Sequence, residues 1–336
     1  MGIKVAINGF GRIGRCFLRR ALEDEDIEVV VINDLQCAAE LAYLFKYDSV
    51  YRTYKGTVDH YKDTLMVEEQ TILVSCEEDP EALPWKNLDI DVVIESTGFF
   101  RDREGAAKHL KAGAKKVIIS APSKDADTTI VLGINEEAYD PQKHHIISMA
   151  SCTTNSLAPV AKVLNDSFGI KNLFITTVHA YTSGQVLVDT PGRRLRRGRA
   201  AALSIIPTTT GATRATALVL PELQGKMDGL AMRVPVPDGS VTDIVANLKK
   251  AVTVEEVNDA LRFASRTERL KGILEVTDDR IVSSDVIGNP YSAIVDAIST
   301  MVLQKKVVKV LSWYDNEWSY ACRLVDLAKL IGGYLS

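Results

Sequence analysis

No apolar run in the 336-residue sequence approaches the roughly 20 residues that cross a bilayer. The opening MGIKVAINGF has no basic stretch leading into a long apolar core, so no secretory signal is expected. Five cysteines, odd in number and irregular in spacing, make no disulfide framework and read as reduced thiols in the cytoplasm. Charge of one sign is missing too: 40 Lys+Arg against 44 Asp+Glu leave a net −4, which offers no field to draw in nucleic acid or anionic lipid. The sequence shows no internal repeat, low-complexity tract or flexible linker, and no metal site is assigned. Present instead is the balance of an ordinary globular enzyme, 46% apolar and 25% charged, long enough for two domains.

The first third alternates short β-branched runs (5–7, 29–32, 92–94, 117–119) with amphipathic stretches at 12–22 and 103–112. Runs that are apolar in succession fit strands buried on both faces, and strand–helix alternation implies a parallel sheet with right-handed crossovers. Near residue 150 the texture shifts to longer Thr- and Val-rich runs at 173–182, 229–236, 241–248, 294–302 and 307–313, with a helix over 254–266. The expected class is therefore α/β: a Rossmann-type parallel-sheet domain plus an α+β domain with a mixed or antiparallel sheet. The last helical stretch, 318–331, carries Ala321, Leu324, Val325, Ala328 and Ile331 on one face and must pack on something.

Gly9-Phe10-Gly11-Arg12-Ile13-Gly14 follows the first strand and opens a helix, and Asp34 ends the next strand 20 residues after Gly14. In that context Gly9 permits the tight turn, Gly11 lets backbone approach a pyrophosphate, and Gly14 lets helix and strand pack closely. The helix start offers N–H groups to the phosphates, and Asp34 would accept hydrogen bonds from an adenosine ribose. A carboxylate there disfavours a 2′-phosphate, so NAD is favoured over NADP; an arginine from elsewhere in the fold would soften that preference.

Cys152 stands at the head of a helical segment reaching Leu164, with Pro159 inside it. The helix dipole is expected to lower a thiol's pKa at that position. His179 lies near the end of an apolar strand, where a packed core histidine is the ordinary alternative. Paired with Cys152 it would supply the base that covalent catalysis needs.

INGFGRIGR (7–15), ASCTTN (150–155), TTVHAYT (176–182), RAAALSIIPTTTGA (199–212), AMRVPVP (231–237) and WYDNEW (313–318) resemble, in order and spacing, the phosphorylating glyceraldehyde-3-phosphate dehydrogenase family, from residue 3 to about 330. The resemblance implies a cysteine thiohemiacetal and thioester on Cys152, with His179 as base, NAD as oxidant and inorganic phosphate as the final nucleophile. It implies cofactor contacts from Gly9, Gly11, Arg12, Ile13, Gly14, Asp34, Thr97, Ser120 and Asn316. Ser151, Thr153, Thr210 and Gly211 match the site for attacking phosphate; Thr182 and Arg233 match that for the substrate's phosphate. It also implies an NAD-binding domain over 1–150 completed by the C-terminal helix 317–336, and a catalytic domain over 151–316.

Five arginines crowd residues 192–199. With no aromatic residue to stack a base and a net acidic chain, this segment is read by resemblance as a loop between subunits of a homotetramer, not as a nucleic-acid patch. Ser156, Met149, Ser183-Gly184, Thr190, Arg214 and Gly239 depart from common family choices, and Thr190 keeps NADP use open. The rival readings are an NADP-preferring gluconeogenic isoform, an erythrose-4-phosphate dehydrogenase, and a non-enzymatic NAD-binding redox or nucleic-acid sensor.

Overall fold

A computed structural model describes residues 2–191 and 194–335; Gly192 and Arg193 of the arginine-rich loop, and both terminal residues, lie outside the described residues. Two compact units are present: one built from residues up to Ile130, Glu137–Ala150 and the chain from Ala321, the other from Val131–Glu136 and Ser151–Tyr320.

In the first unit a nine-stranded sheet runs, edge to edge, through Thr128–Thr129, Ile146–Ser148, Lys116–Ile119, Val92–Glu95, Ile3–Asn8, Ile27–Asn33, Gln70–Ser75, Thr64–Val67 and Val58–Tyr61. All pairings are parallel except those of Thr64–Val67 with its two neighbours. The four expected strands are central and fully apolar for the reason their composition suggests: both faces are covered. Ala6, Val31, Val93, Val117 and Ile119 pack with Trp85 and Ala106 in one core. The antiparallel hairpin at the far edge went unread because its strand Val58–Tyr61 is largely exposed and polar.

The helix Arg12–Ala21 follows the first strand, and Arg103–Lys111 is capped by Asp102. Residues 321–331 of the terminal helix Trp318–Gly332 bury the expected apolar face completely, with Ala321, Leu324, Val325, Ala328 and Ile331 all inaccessible. A Cβ on Gly332 would come within 2.4 Å of the Ile3 side chain, so this helix end lies directly on the first strand.

The second unit is a mixed sheet in the order Ile206–Thr209, Met227–Val234, Ile170–Ala180, Ser240–Leu248, Val307–Tyr314, Ala293–Asp296, Leu274–Thr277. The helix Cys152–Phe168 packs across it and runs a turn beyond the expected end, stopping at Gly169 in a positive-φ conformation. Pro159 sits inside that helix without ending it. The helix Val254–Ser265 begins with a Thr253/Glu256 capping box. One expectation fails: 294–302 is not a single strand. Asp296 accepts the Ser299 N–H and turns the chain through a short 3₁₀ segment, after which Met301–Leu303 forms a separate strand. The helix Ala212–Val219 was also not foreseen.

Candidate active site

In the first unit the candidate cofactor residues gather at the carboxyl edge of the parallel strands, where α/β sheets bind ligands. Gly9 has φ +93°, and a Cβ there would lie 2.6 Å from the Thr97 nitrogen. On Gly14 a Cβ would meet the Gly9 carbonyl at 2.3 Å. Gly11 differs: among the described residues, its chain neighbours and the helix backbone aside, no atom lies within 4 Å of its would-be Cβ, and no side chain caps the helix it precedes. That open, uncapped helix start is a cradle suited to a pyrophosphate.

Asp34 accepts the Phe10 N–H at 2.8 Å and the Gln36 N–H at 3.2 Å, so its carboxylate is tied to the glycine loop itself. Thr97 follows the neighbouring strand and donates its N–H to the buried Glu95 at 2.9 Å, while the Ser120 N–H reaches the Glu95 carbonyl at 3.0 Å. Glu95 also accepts from Asn8 at 2.6 Å and lies 3.1 Å from His109 Nε2. Arg12 sends its guanidinium to the buried Asp48, whose carboxyl is held below the usual range although burial opposes this, because Arg12 and two backbone N–H groups favour the charge. Ile13 sits in the first helical turn, partly buried.

In the second unit the register does the assembling. Ile170–Ala180 pairs in parallel with Met227–Val234 so that His179 lies opposite Arg233. His179 Nε2 is 3.5 Å from Cys152 Sγ, across 27 residues of sequence. Its Nδ1 is 2.7 Å from the Ala180 carbonyl and 2.7 Å from Arg233 Nη1, which also donates to that carbonyl at 2.9 Å. Ser151 caps the helix, accepting the Thr154 N–H at 3.1 Å. The Thr153 hydroxyl is turned to the buried Tyr314 hydroxyl at 2.9 Å, which also meets Thr177 at 2.9 Å.

The expected low thiol pKa is not what this environment produces. Burial pushes the Cys152 thiol up to about 11, outweighing Arg233 and the hydrogen bonds from Thr153. Burial likewise pulls His179 down to about 3, with the Arg233 charge adding to the effect. The half-charge of a helix end is a small term beside desolvation of a charged group. Both shifts favour the neutral form of the group, the thiol on Cys152 and the imidazole on His179.

Elsewhere in this unit, Thr210 accepts the Ala212 N–H at 3.1 Å, and Gly211 opens the helix Ala212–Val219; among the described residues, its chain neighbours and the helix backbone aside, no atom lies within 4 Å of a Cβ position there. Thr182 lies in the turn after the strand, its N–H 3.2 Å from Gln185, and no described contact joins it to Arg233. Asn316 accepts from Ser240 at 2.6 Å. Sequence reasoning missed Arg197, which it grouped with an interface loop. Its Nε donates to Thr208 at 2.9 Å, and its pKa is lowered by burial and by the charges of Arg194 and Arg233. Among the described residues no carboxylate is paired with Arg197 or Arg233, and the Arg233 charge bears on Arg197.

Of the departures from family habit, Ser156 bonds Ser312 at 3.0 Å in the interior. Thr190 donates to the Val188 carbonyl at 2.9 Å. Gly239 has φ +84°, a conformation that suits glycine.

Two family profiles match the chain: glyceraldehyde 3-phosphate dehydrogenase, NAD binding domain, over residues 3–103, and glyceraldehyde 3-phosphate dehydrogenase, C-terminal domain, over residues 151–316. A glyceraldehyde-3-phosphate dehydrogenase of Geobacillus stearothermophilus is 58% identical over 331 residues, 98% of each chain. One of Streptomyces coelicolor is 55% identical over 336 residues, all of both chains. Glyceraldehyde-3-phosphate dehydrogenase 2 of Bacillus subtilis is 52% identical over 329 residues, 98% of this chain and 96% of its own. With glycine cradle, thiol–imidazole pair and full-length similarity in accord, this chain belongs to the glyceraldehyde 3-phosphate dehydrogenase family.

Proposed function

We propose that the chain oxidises and phosphorylates D-glyceraldehyde 3-phosphate to 1,3-bisphosphoglycerate with NAD, as a step of glycolysis or gluconeogenesis. The observation that carries this reading is the 3.5 Å approach of Cys152 Sγ to His179 Nε2 beside the Arg233 guanidinium. Cys152 attacks the aldehyde carbon while His179 takes the thiol proton, so negative charge passes to the carbonyl oxygen. The chemistry NAD would supply is hydride acceptance; loss of hydride from the thiohemiacetal would leave a thioester on Cys152.

Inorganic phosphate then attacks the thioester carbon, the C–S bond breaks, and the thiolate leaves with a proton returned through His179. Two anions are handled, and two sets of donors support this. Arg233 and Thr182 take the substrate's phosphate; Ser151, Thr153, Thr210 and Gly211 take the attacking one, with Arg197 adding positive charge. Gly9, Gly11, Arg12, Ile13, Gly14, Asp34, Thr97 and Ser120 hold the dinucleotide, and Asn316 orients its nicotinamide carboxamide.

The working form is a homotetramer in the cytoplasm. Leu187, Val188, Leu195, Leu203 and Ile205 support the assembly: this one segment exposes five large apolar side chains, Leu195 at 89%, which a second copy would cover. Five free thiols suit the reducing compartment. Initial rates of NADH formation with and without inorganic phosphate test the reaction. Formation should depend on phosphate, and equal rates in its absence would point to a hydrolytic enzyme and sink the proposal.

A further inference from the structure

We propose that Ser240 is a positioning residue whose one hydroxyl fixes both the amide of Asn316 and the peptide that carries the base. The proposal rests on the reading of Asn316 as the group that meets the nicotinamide carboxamide. Ser240 opens the strand Ser240–Leu248 and is delivered by Gly239, where a Cβ would come within 2.2 Å of the Ser283 carbonyl. Both Ser240 and Asn316 are buried, at 1% and 5% exposure, so water does not replace a bond that either loses.

The direction of the hydrogen bonds follows from one fixed donor. A backbone N–H can only donate, and that of Ala180 points to Ser240 Oγ at 3.1 Å. The hydroxyl hydrogen is thereby left for Asn316 Oδ1, 2.6 Å away. With Oδ1 engaged, the Asn316 amide presents Nδ2, a donor edge, to whatever binds there. A carboxamide held by that edge is recognised through its carbonyl oxygen.

The carbonyl of the same residue, in the next peptide group, serves the chemistry. The Ala180 carbonyl accepts from Arg233 at 2.9 Å and lies 2.7 Å from His179 Nδ1. A proton on Nδ1 directed to that carbonyl leaves the Nε2 lone pair facing Cys152 Sγ, the tautomer a base requires, whereas the Arg233 guanidinium, 2.7 Å from Nδ1, can only donate and favours the other tautomer. Ala180 thus links two functions, Ser240–Asn316 through its N–H and His179–Arg233 through its carbonyl. Ser240 touches no reacting atom and acts through these neighbours.

The test uses the full-length enzyme and two NAD analogues. In thionicotinamide adenine dinucleotide a poor acceptor, C=S, replaces the carboxamide oxygen; acetylpyridine adenine dinucleotide keeps C=O and replaces the amino group by methyl. The wild type should bind the acetyl analogue about as well as NAD and the thio analogue roughly tenfold more weakly, the value of one hydrogen bond. In Ser240→Ala the thio/NAD ratio of dissociation constants should fall toward one and kcat should drop roughly tenfold, with Ser240→Thr restoring both.

Ser240→Cys, similar in volume and a weak donor, gives the same measurement if the alanine variant does not fold. A purely structural role would lower the melting temperature and leave the ratio unmoved. If Asn316→Ala abolishes the discrimination and Ser240→Ala retains it, the proposal is overturned while the reading of Asn316 stands. If Asn316→Ala itself retains the discrimination, that reading falls, and this inference with it.

Discussion

The two units build their sites by opposite means. In the dinucleotide unit the site is written almost contiguously: three glycines within six residues, with Asp34 bonded back to Phe10. It works by backbone and by missing side chains. In the other unit, contacts join residues 27, 54 and 161 positions apart, in the pairs Cys152–His179, His179–Arg233 and Thr153–Tyr314. That site works by side chains and by burial. Damage to the first should therefore appear as lost affinity or lost stability, and damage to the second as lost chemistry.

Cys152→Ser is the hardest test of this division. Turnover should fall by at least about 10⁴-fold, as when a covalent nucleophile is removed, while NAD binding by titration calorimetry stays within about twofold of wild type, a shift of only about 0.4 kcal/mol. A comparable loss of NAD affinity would break the contrast. Next in size, Arg233→Lys keeps a charge and loses the fork that reaches both His179 Nδ1 and the Ala180 carbonyl. It should cost about 100-fold in kcat/KM for the aldehyde, with KM for NAD little changed.

Within the glycine loop, Gly14→Ala should destabilise the fold by about 3 kcal/mol, since its Cβ would meet a backbone oxygen that has no room to retreat. Gly11→Ala should leave the thermal midpoint almost unmoved and weaken NAD binding, because its Cβ would fill the open cradle. Equal melting losses in both variants would remove the distinction between a packing glycine and a binding glycine. Asp34→Asn keeps an acceptor for the Phe10 N–H and removes the charge. We expect about a tenfold rise in KM for NAD and a narrower NAD/NADP preference, read from kcat/KM with each cofactor.

The smallest effect concerns acid stability. His179 titrates at about 3 in the fold against 6.5 in an open environment. Between those values the unfolded chain binds the extra proton, so stability falls as pH drops through that window. His179→Asn should flatten this slope in urea melts at pH 6.5 and 4.5, and an unaltered slope would show that the imidazole is not held neutral.

The central strands of the first unit were readable because they are apolar in succession, and few other arrangements satisfy such runs. The hairpin at its edge was not, since exposed strands need carry no apolar signal. Residues 294–302 read as one strand although Asp296 interrupts them by capping Ser299. Arg197 shows the same limit at the site: sequence placed it in an arginine-rich loop, and only its bond to Thr208 and its repulsion from Arg233 mark it as a candidate anion donor.

By itself the sequence determined what is local: the turn forced by Gly9, the close packing at Gly14, the helix beginning at Cys152, and the motifs that mark the family. Tertiary structure alone decided that residues 152, 179 and 233 meet, that the Thr153 hydroxyl faces Tyr314, and that desolvation pushes the Cys152 thiol's pKa up. The reason is range. Backbone sterics and helix capping act over a few residues, whereas strand register and desolvation depend on which distant segments fold over a side chain.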